Sequence, residues 1–245
     1  MGIGRDFMNR TRYRFLEESE QQRGLPMPPL QWPVEPGAAL IDLPHPSGLE
    51  IAPVSVRELI EQRTSVRRYS AARLSLLELS YLLWCTQGVK EVGPGYLLRT
   101  VPSAGARHAL EAYLIVNSVQ GLEAGLYRFV AVGHRLARLK APADLGQRAV
   151  AACFGQSFVG TSSATFVWVA IPHRMTWRYS ERGYRYLHLD AGHACQNLYL
   201  AAEAIGGGVC AIGAFDDDAM ATLLDLDPDE QFVIYLATVG KKVVR

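Results

Sequence analysis

The feature that most constrains the fold is a long amphipathic segment, residues 178–208. Apolar side chains recur there at steps of three and four residues, the period of one helical face. They are Leu187, Ala191, Ala194, Leu198, Ala201, Ala202 and Ile205. Three glycines from Gly206 predict the end of this helix. Because small residues dominate the face, we expect another element or a flat ligand to pack closely against it.

The start of this helix carries arginine and tyrosine side chains that core packing does not need. They are Arg178, Tyr179, Arg182, Tyr184, Arg185 and Tyr186. Such a density of hydrogen-bond donors indicates a functional role. An amphipathic core helix that begins in a solvated basic stretch explains the pattern equally well.

Composition excludes several classes of protein. The 245 residues allow one large domain or two small ones. A net charge of +1 argues against a nucleic-acid partner. No apolar run reaches the ~18 residues that suggest a membrane span, and residues 1–6 lack the apolar core of a signal peptide.

The four cysteines, Cys85, Cys153, Cys195 and Cys210, show no CxxC spacing. We expect them to be buried free thiols in a reducing cytoplasm. The histidines offer no metal-ligand spacing either, since His188 and His193 are five positions apart. No bound metal is predicted.

Residues 1–53 differ from the body of the chain, residues 54–245, in their proline content. The prolines are Pro26, Pro28, Pro29, Pro33, Pro36, Pro44, Pro46 and Pro53. Because proline breaks helices and disfavours central strands, we expect an extended arm over the body or over a partner subunit. A disordered tail is the alternative.

In the body, capping boxes at Ser55 and Ser75 predict two helix starts. Apolar runs predict buried strands, and Gly133 marks a hairpin. The strands are expected at residues 112–119, 125–132, 135–140, 164–171, 209–212 and 232–239. Their irregular alternation with helices predicts an α+β fold.

Three polar clusters could carry chemistry. Arg63, Ser65 and Arg67 alternate, so an extended segment projects them to one side, where guanidinium groups suit phosphate oxygens. A basic surface loop is the alternative. A Pro-Ser turn at residues 102–108 offers backbone N–H groups, with His108 as a catalytic acid or a capped surface residue. The third cluster, residues 240–242, could close over a phosphate or form a solvated tail.

The order of these motifs resembles the FMN-dependent nitroreductase family. The pattern consists of Arg-x-Ser-x-Arg, a Pro-Ser turn, Gly192-His193 followed by Gln196-Asn197, and a final strand with Gly-Lys. The resemblance covers roughly residues 55–242. It is strongest to SagB-type dehydrogenases, which oxidise thiazolines and oxazolines in natural-product pathways. It implies a three-layer sandwich with a mainly antiparallel sheet flanked by helices.

The resemblance also implies a homodimer with two FMN sites at the interface, an arm that embraces the partner, and a small-molecule or peptide-derived substrate. Arg63, Ser65 and Arg67 resemble the ligands of the FMN phosphate, ribityl chain and pyrimidine edge. Lys241 or Lys242 resembles the phosphate-binding base near the C-terminus.

Two further segments are similar to flavin-lining segments of the family. Ser103, Ala104 and Gly105 resemble the turn that lines the flavin from the partner subunit. Gly213 and Ala214 resemble the turn whose backbone N–H faces flavin N5 and O4.

The chain departs from the SagB-type pattern at the catalytic pair. Azoline dehydrogenases have a Lys-Tyr pair, whereas this chain has Arg178-Tyr179. Arginine is not an ordinary base, because its pKa is too high. We therefore expect Tyr179 to exchange a proton, with Arg178 assisting it. An NAD(P)H-dependent nitro or quinone reductase and a non-catalytic flavin-binding subunit of a biosynthetic complex are the alternatives.

Overall fold

The computed structural model describes residues 2–243, whose centre is a seven-stranded sheet with the strand order β1-β8-β7-β5-β9-β11-β10. Every pairing in this sheet is antiparallel. The strands are β1 Leu40–Asp42, β2 Leu74–Ser75, β3 Val89–Gly93, β4 Tyr96–Arg99, β5 Leu110–Val116, β6 Val119–Gln120, β7 Gly125–Val130, β8 Arg135–Arg138, β9 Ala164–Ala170, β10 Gly207–Ile212 and β11 Phe232–Lys241. The short pairs β2–β6 and β3–β4 lie outside the main sheet.

Helices cover both faces of the main sheet. They are α1 Ile3–Arg10, α2 Val56–Gln62, α3 Leu76–Gln87, α4 Leu145–Ala152, α5 Phe158–Thr161, α6 Pro172–Tyr179, α7 Gly183–Ala204 and α8 Asp217–Leu223. Leu114 of β5 packs in a core with α3 and α7, whereas its neighbour Ile115 packs in a second core with α4, α5 and α8. This alternation follows from the two-residue period of a strand. The three-layer α+β architecture is as predicted.

The two predicted capping boxes are confirmed. The Glu58 backbone N–H donates to Ser55 Oγ at 3.2 Å, and the Ser55 N–H donates to the Glu58 carboxylate at 2.8 Å. The same reciprocal pair joins Ser75 and Glu78 at 3.1 and 2.8 Å. These caps satisfy backbone donors that the first turns of α2 and α3 would otherwise leave unpaired.

Helix α7 forms where the apolar period predicted it, and it presents that face to α3 and the sheet. It ends at Ala204, and its C-cap residue Ile205 is followed by Gly206 with φ +67°. That left-handed conformation favours glycine. At the other end, Ser180 with φ +47° separates α7 from α6. Arg178 and Tyr179 therefore lie at the last turn of α6, not at the start of α7.

The N-terminal arm lies over the body of its own chain. Prolines do not exclude a helix there, because α1 precedes the first of them, and β1 pairs with β8 at the sheet edge. Farther along, Arg128 donates to the carbonyl oxygens of Trp32 at 2.9 Å and Pro33 at 2.7 Å. These contacts favour the first of the two expected positions, over the body.

The donors at the start of α7 hold this arm. Arg182 donates to the Thr11 carbonyl at 2.9 Å, and Arg185 donates to the Thr11 hydroxyl at 2.7 Å. The hydroxyls of Tyr186 and Tyr13 are hydrogen-bonded at 2.9 Å. The unusual density of arginine and tyrosine is therefore explained largely by anchoring of the arm.

The cysteines are free thiols, with Cys153, Cys195 and Cys210 buried and Cys85 half-buried. Burial raises the pKa of Cys153 to about 11 and that of Cys195 to about 12, which keeps both protonated at neutral pH. Among residues 2–243, no helix combines the length and the apolar character that crossing a bilayer requires.

Candidate active site

The segment that follows α2 lies along the free edge of β10. Ser65 pairs with Val209 in parallel, and the Val66 N–H donates to the Val209 carbonyl at 2.8 Å. Ser65 and Arg67 are exposed and Arg63 is half-buried. The structure thus brings the three predicted ligands together at one sheet edge, in the extended conformation that their alternation required.

Tyr199 of α7 organises this cluster, and sequence reasoning missed it. Its hydroxyl lies 3.1 Å from Ser65 Oγ and accepts the Ala211 N–H at 2.9 Å. Its ring lies 5.3 Å from the Arg63 guanidinium carbon, which is a cation–π contact. The sequence gives little indication of this role, because Tyr199 is distinguished only as a tyrosine of α7 that lies outside the apolar face.

The two arginines of the cluster carry uncompensated charge. Within residues 2–243, neither Arg63 nor Arg67 forms an ion pair. Guanidinium groups with free N–H donors next to a serine hydroxyl suit the oxygens of a phosphate. This donor set fits the phosphate end of FMN.

Lys241 and Lys242 reach the same edge, but their ammonium groups have protein partners. Lys241 pairs with Glu78 and donates to the Ile205 carbonyl at 2.8 Å. Lys242 pairs with Glu203. Both lysines thus join β11 to helices, and their role as phosphate-binding bases stays a prediction.

The Pro-Ser turn forms a second cluster around the buried Asp190 of α7. Ser103 Oγ donates to the Asp190 carboxylate at 2.5 Å, and the Ala104 N–H donates to it at 3.2 Å. Ser103 Oγ in turn accepts the His108 N–H at 2.9 Å. Sequence reasoning missed Asp190, although a lone carboxylate beside the apolar face of α7 is a usable signal.

This turn contacts the predicted catalytic pair. Gly105 has φ +56°, and a Cβ built there would overlap the Tyr179 hydroxyl and lie 3.0 Å from Arg178 Nε. Arg178 is exposed, and Tyr179 is half-buried with its ring 4.9 Å from that of Tyr186. The structure therefore brings together Ser103–Gly105, Arg178 and Tyr179, which the sequence placed far apart.

His108 is not the surface histidine that sequence reasoning favoured. It is 6% exposed and has φ +44°. Burial, reinforced by the nearby Arg99 guanidinium, lowers the pKa of His108 to about 3. At neutral pH the imidazole is therefore uncharged, and no imidazolium is present to act as an acid.

Gly213 and Ala214 follow β10 directly, and both are exposed. A Cβ at Gly213 would meet no atom within 4 Å. The Ala214 carbonyl accepts from Gln156 Nε2 at 2.9 Å, which fixes the turn. The backbone at Gly213 is thus open to the approach of a ligand, four residues beyond Val209.

Within one chain the two clusters lie on opposite sides of α7. Asp190, which binds the Ser103 turn, and Tyr199, which binds Ser65, are nine residues apart on this helix. That separation corresponds to about 13.5 Å along the axis and about half a turn around it. The Ser65 segment and the Ser103 turn of one chain therefore contact α7 from opposite sides.

Comparison with known proteins assigns the fold. The sequence model of the nitroreductase family matches residues 60–241, which include both clusters. The chain belongs to the nitroreductase family. Members of this family are FMN-dependent flavin oxidoreductases. The family assignment agrees with the donor set at the sheet edge.

Two curated relatives exceed 30% identity. MJ1384 of Methanocaldococcus jannaschii, which carries the nitroreductase name, is 33% identical over 194 residues, covering 79% of this chain and 94% of that protein. The trifolitoxin-processing protein TfxB of Rhizobium leguminosarum bv. trifolii is 32% identical over 165 residues, covering 62% of this chain. The match spans only 42% of TfxB.

Solved structures share the fold. A Ralstonia eutropha protein described as a nitroreductase superimposes with a TM-score of 0.69 at 28% identity, over 90% of this chain and all of that one. A chain of the Escherichia coli microcin synthetase McbBCD, solved with truncated pro-MccB17 bound, superimposes with a TM-score of 0.63 at 19% identity. The match covers 99% of this chain and 92% of that one. A Desulfovibrio desulfuricans protein described as a nitroreductase in complex with FMN superimposes with a TM-score of 0.54 at 19% identity. The match covers 79% of this chain and 92% of that one.

Proposed function

We propose that this nitroreductase-family protein is an FMN-dependent dehydrogenase that oxidises an azoline ring in a peptide-derived substrate. The observation that carries the proposal is the packing of the Tyr179 hydroxyl against Gly105, in a turn that resembles a flavin-lining segment. A phenol at that place can exchange the proton that must leave when a ring is dehydrogenated.

The proposed FMN ligands are the residues at the sheet edge. Arg63 and Arg67 would hold the phosphate and the pyrimidine edge, and Ser65 would bind the ribityl hydroxyls, with Tyr199 holding Ser65 in place. Bound FMN supplies a two-electron acceptor for the hydride that the substrate loses. Because Lys241 and Lys242 are ion-paired, we assign them to fastening β11 at this edge.

The proposed assembly is a homodimer in which each FMN site takes residues from both chains. The position of the two clusters on opposite sides of α7 supports this, since a second chain could bring its own Ser103 turn and Tyr179 to the arginine cluster. An apolar groove of about 520 Å³ between α2, α3 and α7 is a suitable contact surface. Beside it Val56, Ile60 and Trp84 are exposed, as expected of side chains that a second copy covers.

Arg178 and Tyr179 divide the chemistry between them in this proposal. A guanidinium group is not an ordinary base, so the proposal does not give Arg178 that role. It is exposed, and no residue in the described part of the chain forms an ion pair with it. It is therefore free to stabilise the Tyr179 phenolate or to bind an anionic substrate group, while Tyr179 exchanges the proton.

Two comparisons support a peptide-derived substrate. TfxB is described as processing trifolitoxin, and the microcin synthetase was solved with truncated pro-MccB17 bound. Arginine in place of lysine favours a second candidate, a reductase that takes hydride from NADH or NADPH. Such an enzyme needs no strong base at this position, and an exposed arginine can bind a dinucleotide phosphate.

A single preparation tests both candidates. The purified protein is reconstituted with FMN and its absorbance spectrum recorded, and the flavin is then released by heat and identified by chromatography. The holoprotein is mixed anaerobically with NADH or NADPH, and separately with an azoline-bearing peptide. Loss of two hydrogen atoms from the peptide supports the dehydrogenase, whereas rapid bleaching by the nicotinamide alone supports the reductase. Failure to bind FMN would overturn both.

A further inference from the structure

Asp190 is a buried carboxylate to which the proposed chemistry gives no role. It is 5% exposed and lies on α7 between the buried Leu187 and Ala194. Burial raises its pKa, while hydrogen bonds from the Ser103 hydroxyl and the Ala104 N–H act in the opposite direction. A carboxylate is costly to bury, so a buried one needs such partners. Both partners of Asp190 lie in the same turn.

The turn that Asp190 holds has a strained backbone. Gly105, Ala106 and His108 all have left-handed φ values, of +56°, +52° and +44°. Residues with a Cβ adopt that region at an energetic cost, so other contacts must fix them. Ser103 Oγ provides the fixing contact, because it donates to Asp190 and accepts the His108 N–H. The hydroxyl thus joins both ends of the turn to α7.

The same turn sets the position of Tyr179. A Cβ at Gly105 would overlap the Tyr179 hydroxyl, so the phenol rests directly on the bare Cα. We propose that Asp190 is a positioning residue that, through Ser103 and Gly105, fixes the Tyr179 hydroxyl. This inference rests on the proposed role of Tyr179 in proton exchange. It predicts that changes at Asp190 alter the environment of a phenol that Asp190 does not touch.

The test follows the Tyr179 phenol itself and requires no substrate. The protein is labelled with tyrosine carrying ¹³C at Cζ, and Tyr179→Phe identifies the Tyr179 resonance among those of eleven tyrosines. Asp190→Asn and Ser103→Ala should each move or broaden that resonance. Because both act through one contact, the double variant should move it no farther than the larger single change.

Ser80→Ala is the matched control for Ser103→Ala. Ser80 is buried, and its Oγ also has two partners, the Pro44 carbonyl at 2.5 Å and His134 Nε2 at 2.6 Å, but it lies on α3 and not in the turn. This variant should lower the thermal midpoint as Ser103→Ala does, and it should leave the Tyr179 resonance in place. A shift of similar size in the control would identify general loosening and overturn the inference.

Steric variants decide the case if Asp190→Asn does not fold. Gly105→Ala adds a methyl group where the Tyr179 hydroxyl lies, so it should lower the thermal midpoint, and adding Tyr179→Phe should recover part of that loss. An unmoved Tyr179 resonance in folded Asp190→Asn or Ser103→Ala protein would overturn the positioning role. So would the absence of recovery in the Gly105→Ala, Tyr179→Phe pair. Failure to bind FMN would instead reject the proposed function, and the resonance measurement does not depend on it.

Discussion

The hydroxyl groups of Ser65 and Tyr199 lie 3.1 Å apart although 134 positions separate them in the chain. Tyr199 also accepts the Ala211 N–H of β10, so one phenol joins the arginine segment, α7 and the sheet edge. The proposed phosphate site therefore depends on a side chain that need not touch the ligand.

Tyr199→Phe is expected to weaken FMN binding about tenfold. The variant keeps the ring under Arg63 but removes the bond to Ser65 and leaves the Ala211 N–H without its partner, a loss of about 1–1.5 kcal/mol. Quenching of flavin fluorescence on titration measures the affinity. Tyr127→Phe, which removes a hydroxyl bonded to the Glu123 carbonyl far from this edge, should bind FMN as the unaltered protein does. Equal affinity in both variants would show that Tyr199 does not support the site.

Arg63→Ala and Arg67→Ala are each expected to lower FMN affinity by about ten- to a hundredfold while the fold remains intact. A hydrogen bond to a charged group contributes about 1.5–3 kcal/mol. The adjacent Arg68 is also exposed. Because successive side chains of an extended segment project to opposite sides, it is expected on the other side from Arg67, and Arg68→Ala is the matched control. Calorimetric titration with FMN gives the three affinities. If all three variants match the unaltered protein, the arginines belong to an ordinary basic surface.

Tyr179→Phe is expected to slow turnover about a hundredfold or more without loss of FMN, because it removes the group that exchanges the proton. Arg178→Lys, which restores the usual pair, should improve azoline oxidation. Rates come from mass spectrometry of the peptide product, and flavin content from absorbance. Tyr184→Phe, whose ring stacks on Phe232, serves as the control. Full activity in Tyr179→Phe would require another proton-exchanging group.

Acid is expected to destabilise the protein through His108. Its pKa is about 3 in the folded protein because of burial and then Arg99, and about 6.5 in the unfolded chain. Folding favours the neutral form of His108. The free energy of unfolding is therefore unaffected by this group above about pH 6.5, and it decreases as the pH falls from about 6.5 towards 3. Between pH 7 and pH 5 the loss should be about 1–2 kcal/mol.

Urea unfolding at pH 7 and pH 5 measures this loss. His108→Gln should reduce the difference between the two pH values, since glutamine does not titrate. His188→Gln, at an exposed position on α7, should leave the difference unchanged. Identical pH dependence in the unaltered protein and His108→Gln would show that His108 is not the responsive group.

The sequence predicted those helices and strands that are determined by residues close together in the chain. The boxes at Ser55 and Ser75 each need only four consecutive residues, and the apolar period from Leu187 to Ile205 is visible without knowing what packs against it. The central strands were predictable because both of their faces are buried. In contrast, α1 was missed because the prolines that follow it dominated the interpretation of residues 1–53.

The candidate site was predictable only in part, because long-range contacts decide it. The alternation of Arg63, Ser65 and Arg67 indicated their shared side, but nothing in that segment indicates Tyr199. Likewise the pairing of Lys241 with Glu78 joins residues 163 positions apart. The opposite error concerns Arg182 and Arg185. The density of donors around them indicated a functional role, whereas in the structure both side chains bind the N-terminal arm.

The placement of Asp190 and Tyr199 on opposite sides of α7 has a genetic consequence for the proposed dimer. Each subunit would give its arginine segment to one flavin centre and its phenol to the other. Two inactive alleles, one defective at Arg67 and one at Tyr179, would then complement each other. A mixed dimer would place both defects in one centre and leave the other whole, so intragenic complementation follows from the geometry of a single helix.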